Sequence, residues 1–198
     1  RISSQPNKTP DEVYLILKNL LSQRSLKKIK AGIICSVVPS LTTVYQETFY
    51  KYLKIKPLIV TADLPLEINI LYNDPSQVGA DRLANAVAVW QLYGGPTIVV
   101  DLGTATTFDV ISAKGEYLGG AICPGIETSA VDLFRRAAQL FKVKLEKPKK
   151  VIGKTTEESL RSGIIFGACG QIDGMVEKIE KELGEKCKVI ATGGLAPL

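Results

Sequence analysis

Thr97-Ile98-Val99-Val100-Asp101-Leu102-Gly103-Thr104-Ala105-Thr106-Thr107-Phe108-Asp109 is the most informative stretch of this chain. A strand rich in β-branched residues ends on an acidic side chain. A turn of glycine and hydroxyl residues follows, and the chain leaves it on a second, threonine-rich strand running to Ser112. Tyr117 to Cys123 reads as a third strand, entered through Gly115. Turns this short make the three strands an antiparallel meander. Helices are predicted next, from about Ile126 to Phe141 and from about Thr156 to Leu183. Lys188 to Thr192 is a last strand, and Gly193-Gly194 turns out of it.

The first half has a different rhythm. Thr9-Pro10-Asp11-Glu12 predicts a helix start, with Thr9 as N-cap, Pro10 at the first helical position and Glu12 closing a capping box. Ala31 to Val38 predicts a buried strand, Pro39 to about Leu53 an amphipathic helix, and Leu58 to Thr61 a short strand. Ala62 to Val78, with Pro65 and Asn73-Asp74-Pro75, reads as irregular. Gly79-Ala80-Asp81-Arg82 opens a helix with Leu83, Ala86, Val87 and Trp90 on one face, and Gly94-Gly95-Pro96 stops it. That stop is the expected boundary between a first lobe (residues 1–94) and a second (95–198). Two such lobes make an α/β architecture with its ligand site expected in the cleft between them.

Composition narrows the chemistry. The 198 residues are 45% hydrophobic and 23% charged, as in an ordinary globular chain. No apolar run approaches the ~18 residues of a membrane span. The chain opens Arg1-Ile2-Ser3 without a signal peptide, so a cytoplasmic protein with no membrane partner is expected. There is no histidine, which excludes Ser-His-Asp and Cys-His catalysis and His-ligated zinc. The four cysteines form no C-x-x-C pair, and the small, apolar neighbours of Cys35 and Cys169 predict buried thiols. The net charge of +5 suits an anionic ligand. The lysines are dispersed and interleaved with apolar and acidic residues, so small phosphorylated ligands are expected rather than nucleic acid.

Three places carry candidate chemistry. At the Asp101 turn, Gly103 lets a phosphate approach the backbone, Thr104 and Thr106 offer donors, and Asp101 is placed to hold a cation. Read alone, the same stretch is a plain hairpin. In Gly79-Ala80-Asp81-Arg82, Asp81 reads as a helix N-cap, as a general base beside an anion-holding Arg82, or as both. Gly119-Gly120-Ala121-Ile122-Cys123-Pro124-Gly125, Gly153-Lys154-Thr155-Thr156 and Thr192-Gly193-Gly194 are glycine turns suited to close ligand contact or to ordinary turn geometry.

Taken together, Gly-Ala-Asp-Arg, Asp-x-Gly-Thr-Ala-x-Thr, Gly-Gly-x-Ile-x-Pro-Gly, Gly-Lys-x-Thr and Thr-Gly-Gly-Leu-Ala resemble the type III pantothenate kinases, from about residue 7 to 198. The resemblance implies ATP-dependent phosphorylation of pantothenate to 4'-phosphopantothenate. It implies two RNase H-like lobes of the actin/Hsp70/sugar-kinase superfamily. It gives Asp81 the role of proton acceptor, and gives Tyr72, Gly79, Ala80, Asp81, Arg82 and Thr156 contacts to pantothenate. It gives Asp101 a monovalent cation (K⁺ or NH₄⁺) and Thr104 the ATP phosphates. It further implies Mg²⁺ and a homodimer. The same family contains proteins first described as transcriptional accessory factors, the alternative reading. A phosphate-binding Asp-x-Gly-Asn-Thr turn expected before Arg1 has no copy here, and the last helices expected after Leu198 are not in the sequence. The sequence therefore reads as the interior of a longer protein, whose fragment alone is expected to turn over little.

Overall fold

The computed structural model describes residues 8–137 and 140–198. In chain order its elements are α1 (Pro10–Leu20), α2 (Gln23–Leu26), β1 (Ile33–Ile34), α3 (Pro39–Thr48), β2 (Leu58–Ile59), β3 (Asn69–Ile70), α4 (Ala80–Tyr93), β4 (Thr97–Leu102), β5 (Ala105–Ile111), β6 (Glu116–Pro124), α5 (Ile126–Arg136), α6 (Thr156–Leu183) and β7 (Lys188–Thr192). The fold is mixed α/β. It divides into two compact units, one running up to Glu67 and resuming over Asn73–Val87, the other comprising Ile68–Tyr72 and Ala88–Leu198.

In the first unit the capping box forms as the sequence predicts. The Glu12 amide donates to Thr9 Oγ1 at 3.3 Å, and the Thr9 amide donates to the Glu12 carboxylate at 2.7 Å. Two otherwise orphaned helix-end donors are thereby satisfied. α1 packs on α3 through Val13, which is buried. Thr48 is buried as well, and its hydroxyl donates to Pro10 O at 3.2 Å and to Val44 O at 2.8 Å. Tyr14 and Tyr52 stack with ring centroids 4.0 Å apart. Lys51 and the Tyr52 hydroxyl both bond Asp11, which holds that carboxyl below its ordinary pKa. β1 and β2 pair in parallel, Ile33 with Leu58 and Ile34 with Ile59, with α3 between them in the chain.

The strand expected over Ala31–Val38 shrinks to Ile33–Ile34. Ile34 is buried, but Ile33 is 64% exposed. The partner strand is equally short, and past it Ser36 takes over the backbone. Its hydroxyl accepts from the Val38 amide at 3.1 Å, turning the chain into α3 before more ladder can form.

The second unit is built on a five-stranded sheet in the order β3-β6-β5-β4-β7. β4, β5 and β6 form the predicted meander, and β7 joins β4 in parallel, Thr97 opposite Lys188 through Asp101 opposite Thr192. Alternation along the strands sorts the side chains. Ile98, Val100, Leu102 and Phe108 face one way, against Ile126 of α5 and Ile172, Met175, Val176 and Ile179 of α6. Val99, Asp109, Ile111 and Tyr117 are buried too. β3 lies in the stretch that the sequence reads as irregular, because two residues between Pro65 and Asn73-Asp74-Pro75 carry no periodicity.

α6 has the predicted bounds, capped by Thr155 and closed by Gly184 in the left-handed conformation. α5 ends at Arg136, short of the expected Phe141, where Ala137 turns extended. Residues 138 and 139 of that expected helix lie outside the described ones. Cys35 and Cys169, expected to be buried, are exposed free thiols. Cys35 lies just past the short β1, and Cys169 is flanked on α6 by the exposed Gly167 and Gly170. Among the described residues, no helix is long and apolar enough to cross a membrane.

Phe108 is fully buried at the centre of the α5–α6 face. Phe108→Ala is expected to destabilise the protein by about 3–5 kcal/mol, read as a lowered urea midpoint.

Candidate active site

Asp101 stands at the end of β4, where the sheet's backbone pairing gives way to loops. It pairs with Thr107 across the hairpin and with Thr192 on β7. Three glycine turns that are far apart in sequence meet beside it. In the β4–β5 turn, the Gly103 amide donates to Ala105 O at 3.0 Å. In the turn from β6 to α5, the Gly125 amide donates to Thr104 O at 3.2 Å, and the Thr128 hydroxyl bonds the same oxygen at 2.7 Å. In the turn after β7, the Leu195 amide donates to Leu102 O at 3.3 Å.

The glycines have a steric reason. Gly193 has φ +93°, and a Cβ there would lie 2.6 Å from both Asp101 Oδ1 and Leu102 O. A Cβ on Gly125 would lie 2.2 Å from Thr104 O. Side chains at these positions would push the turns apart, so the sequence keeps backbone exposed around one half-buried carboxylate. Such a concavity suits an anion and its counter-cation. Thr104 is exposed at its rim. Thr106, read from sequence as a second donor, is buried at 1% exposure, opposite Leu102 and Cys123, and its hydroxyl has no hydrogen-bond partner among the described residues. It is therefore closed to a ligand.

Asp81 belongs to the first unit. α4 begins at Ala80, which puts Asp81 inside the first turn rather than at the N-cap. The carboxylate still meets an orphaned helix donor, since the Arg82 amide donates to Asp81 Oδ1 at 2.8 Å. Asp81 is exposed, while Ala80, Arg82 and Leu83 beside it are buried. A Cβ on Gly79 would lie 2.6 Å from Asp81 Oδ1 and 3.2 Å from Val37, which sets this turn against the segment leaving β1. Cys35 in that segment feels the same charge. Desolvation first, and then the Asp81 carboxylate, push its thiol pKa above the ordinary value.

Tyr72 and Thr156 line separate cavities in the second unit. Tyr72 borders one of about 590 Å³ with Gly119, Met175 and Ile179. Thr156, in the first turn of α6, borders one of about 380 Å³ with Leu133, Leu160 and Ile164. The two share no lining residue. Thr155 caps α6 by accepting from the Glu158 amide at 3.1 Å, and the Glu158 carboxylate reaches back to the Lys154 amide at 2.7 Å. Among the described residues there is no group of three or more His, Cys, Asp or Glu able to hold a metal ion. Sequence reasoning assigned nothing to Asp109 and Tyr117, a buried hydrogen-bonded pair at 2.8 Å. The signal was a carboxylate within an otherwise apolar strand segment.

The family model described as type III pantothenate kinase matches residues 1–178. The chain is 48% identical over 200 residues to a type III pantothenate kinase of Moorella thermoacetica, an alignment covering 100% of this chain and 79% of that protein. Identity to the type III pantothenate kinase of Koribacter versatilis is 45%, covering 100% and 73%. For that of Roseiflexus castenholzii it is 44%, covering 100% and 78%. Among solved structures, a conserved protein of Campylobacter jejuni described as a Baf family transcriptional activator is similar at a TM-score of 0.49 and 22% identity, over 77% of this chain and 67% of that one.

The closeness of Asp81 and Cys35 has a direct readout. Asp81→Asn removes a negative charge that disfavours the thiolate. The Cys35 pKa is then expected to fall, and its alkylation by iodoacetamide at fixed pH to speed up, as followed by mass spectrometry of the Cys35 peptide. An unchanged rate would separate the two groups.

Proposed function

We propose, from the premise that this chain belongs to the type III pantothenate kinase family, that Asp81 is the proton acceptor in its reaction and that the turns around Asp101 receive the nucleotide phosphates. The chain is a kinase. It uses ATP to phosphorylate pantothenate to 4'-phosphopantothenate, at the start of coenzyme A synthesis.

The reaction needs the primary hydroxyl of pantothenate in line with the γ-phosphorus. An O–P bond forms at that hydroxyl, the bridging P–O bond to the β-phosphate breaks, and ADP leaves. Asp81 orients the hydroxyl and takes its proton late. The observation that carries this role is the exposed Asp81 carboxylate held by the Arg82 amide in the first turn of α4. Gly79, Ala80 and Arg82 line the substrate beside it, with Tyr72 and Thr156 as further contacts. Because the Tyr72 and Thr156 cavities share no residue, a homodimer that brings the two contacts from different copies fits one small substrate.

Thr104, exposed at the rim of the glycine turns, contacts the ATP phosphates. Asp101 holds a monovalent cation, K⁺ or NH₄⁺. Its half-buried carboxylate is the oxygen donor that supports this reading. Mg²⁺, held mainly by phosphate oxygens, supplies charge neutralisation when bound. The meander β4-β5-β6 with a parallel β7 beside β4 supports reading the second unit as an RNase H-like lobe of the actin/Hsp70/sugar-kinase superfamily. The first unit is read as the other lobe, and the cytoplasm as the compartment.

Pantothenate-dependent ADP release by the full-length protein tests these roles. Asp81→Asn is expected to keep the fold and lower kcat by about 10²–10⁴-fold, the usual worth of a positioned acid or base. An active variant removes Asp81 from the role. Asp101→Asn is expected to abolish stimulation by potassium, and stimulation that survives the substitution removes Asp101 as the cation ligand.

A further inference from the structure

Asp109 is completely buried in β5. Its Oδ1 accepts the Tyr117 hydroxyl at 2.8 Å, and its Oδ2 accepts from the Thr107 hydroxyl at 3.3 Å. Tyr117 is buried to the same degree. Carboxylates are costly to bury, and an apolar pair of similar shape fills such a place at no desolvation cost. What the pair adds is direction. A hydrogen bond at the tip of a tyrosine adds a directional constraint on its ring to the one packing imposes.

That ring supports another. Tyr72 lies against Tyr117 with centroids 6.3 Å apart and planes tilted by 44°, a favourable aromatic geometry. The backbone reinforces the seat, since the Leu71 amide donates to Tyr117 O at 2.9 Å and β3 pairs with β6 at Ile70–Tyr117. Opposite this ladder, β5 and β6 shift register between Val110 and Ile111, leaving Leu118 as an extra residue. The shift brings Gly119 under the Tyr72 ring. Gly119 has φ +111°, and a Cβ there would come within 3.3 Å of Tyr72 Cε2. The ring thus rests on one fixed side chain and one missing side chain, and it borders the 590 Å³ cavity.

We propose that Asp109 and Tyr117 are positioning residues for pantothenate binding, acting through Tyr72 by fixing the angle at which its ring meets the substrate. The inference rests on the reading of Tyr72 as a substrate contact. Neither residue touches substrate, so their loss acts on pantothenate affinity and not on the nucleotide.

Steady-state kinetics on the full-length enzyme, over a double-mutant cycle of Tyr117→Phe and Tyr72→Ala, tests it. Tyr117→Phe keeps the ring and removes the hydroxyl that bonds Asp109. It is expected to raise the pantothenate KM by roughly tenfold, with the ATP KM unmoved and kcat changed less than KM. In the Tyr72→Ala background the same substitution is expected to add nothing. Asp109→Asn, which keeps the shape and weakens the charge-assisted bond from Tyr117, is expected to raise the pantothenate KM in the same direction by less. It serves as the deciding variant if Tyr117→Phe fails to fold. A lower melting temperature with an unchanged pantothenate KM overturns the proposal and leaves the pair as ordinary core. Additive effects in the cycle overturn it as well. If Tyr72→Ala alone leaves the pantothenate KM unchanged, the failure lies in the reading of Tyr72, and the proposal falls with it.

Discussion

Everything in the second unit depends on the hydrogen-bond register between β4 and β5. Leu102 opposite Thr106 closes the turn over Gly103 and Thr104, and Asp101 opposite Thr107 sets which face the carboxylate joins. Because side chains alternate, a slip of one residue would send Asp101 to the face of Phe108 and bring Val100 and Leu102 out of the α5–α6 core. The apolar side of the sheet therefore specifies the polar side. Burial of Ile98, Val100, Leu102 and Phe108 drives the pairing, and the position of Asp101 follows from it.

The two faces of this sheet meet different demands. One is a dry seam of aliphatic and aromatic groups under α5 and α6. The other carries Asp101, Thr107, Asp109 and Tyr117, groups that must be satisfied by neighbours or by ligands wherever they leave water. Glycine does the complementary work at the strand ends. Where Gly125 and Gly193 stand, the missing Cβ atoms let three loops touch by their backbones, so the amides and carbonyls around Asp101 remain within reach of a small charged ligand.

Much of this was legible in the sequence. The capping box at Thr9, the meander from Thr97 to Cys123, and α6 with Thr155 and Gly184 at its ends are local features with local signals, and the structure has them. The family was legible as a resemblance carried by Gly-Ala-Asp-Arg and the glycine turns. What stayed hidden was long-range or very short. β3 is two residues whose only reason to be extended is the β6 edge. Thr106 and Thr104 look alike in the sequence, yet strand register buries one and exposes the other. Cys35 looked like a core thiol because its neighbours are apolar, but β1 ends one residue before it. Asp109 gave a signal without a meaning, since nothing local reveals that Tyr117 will lie within bonding distance across a shifted strand.

The parallel pairing of β7 with β4 has a consequence in time. β4 carries one of the most apolar segments of the molecule, and its second neighbour is supplied only by residues 188–192, after β5, β6, α5 and α6 have been made. During synthesis the edge of β4 stands unpaired for the whole of that interval, while the hairpin on its other side is already able to close. An open, hydrophobic strand edge is a template for a neighbouring nascent chain as much as for β7. Contacts between residues so distant in sequence also form slowly. The glycine turn after β7, which closes against Asp101, therefore assembles later than the meander, and the surroundings of Asp101 form only once this edge of β4 has been covered.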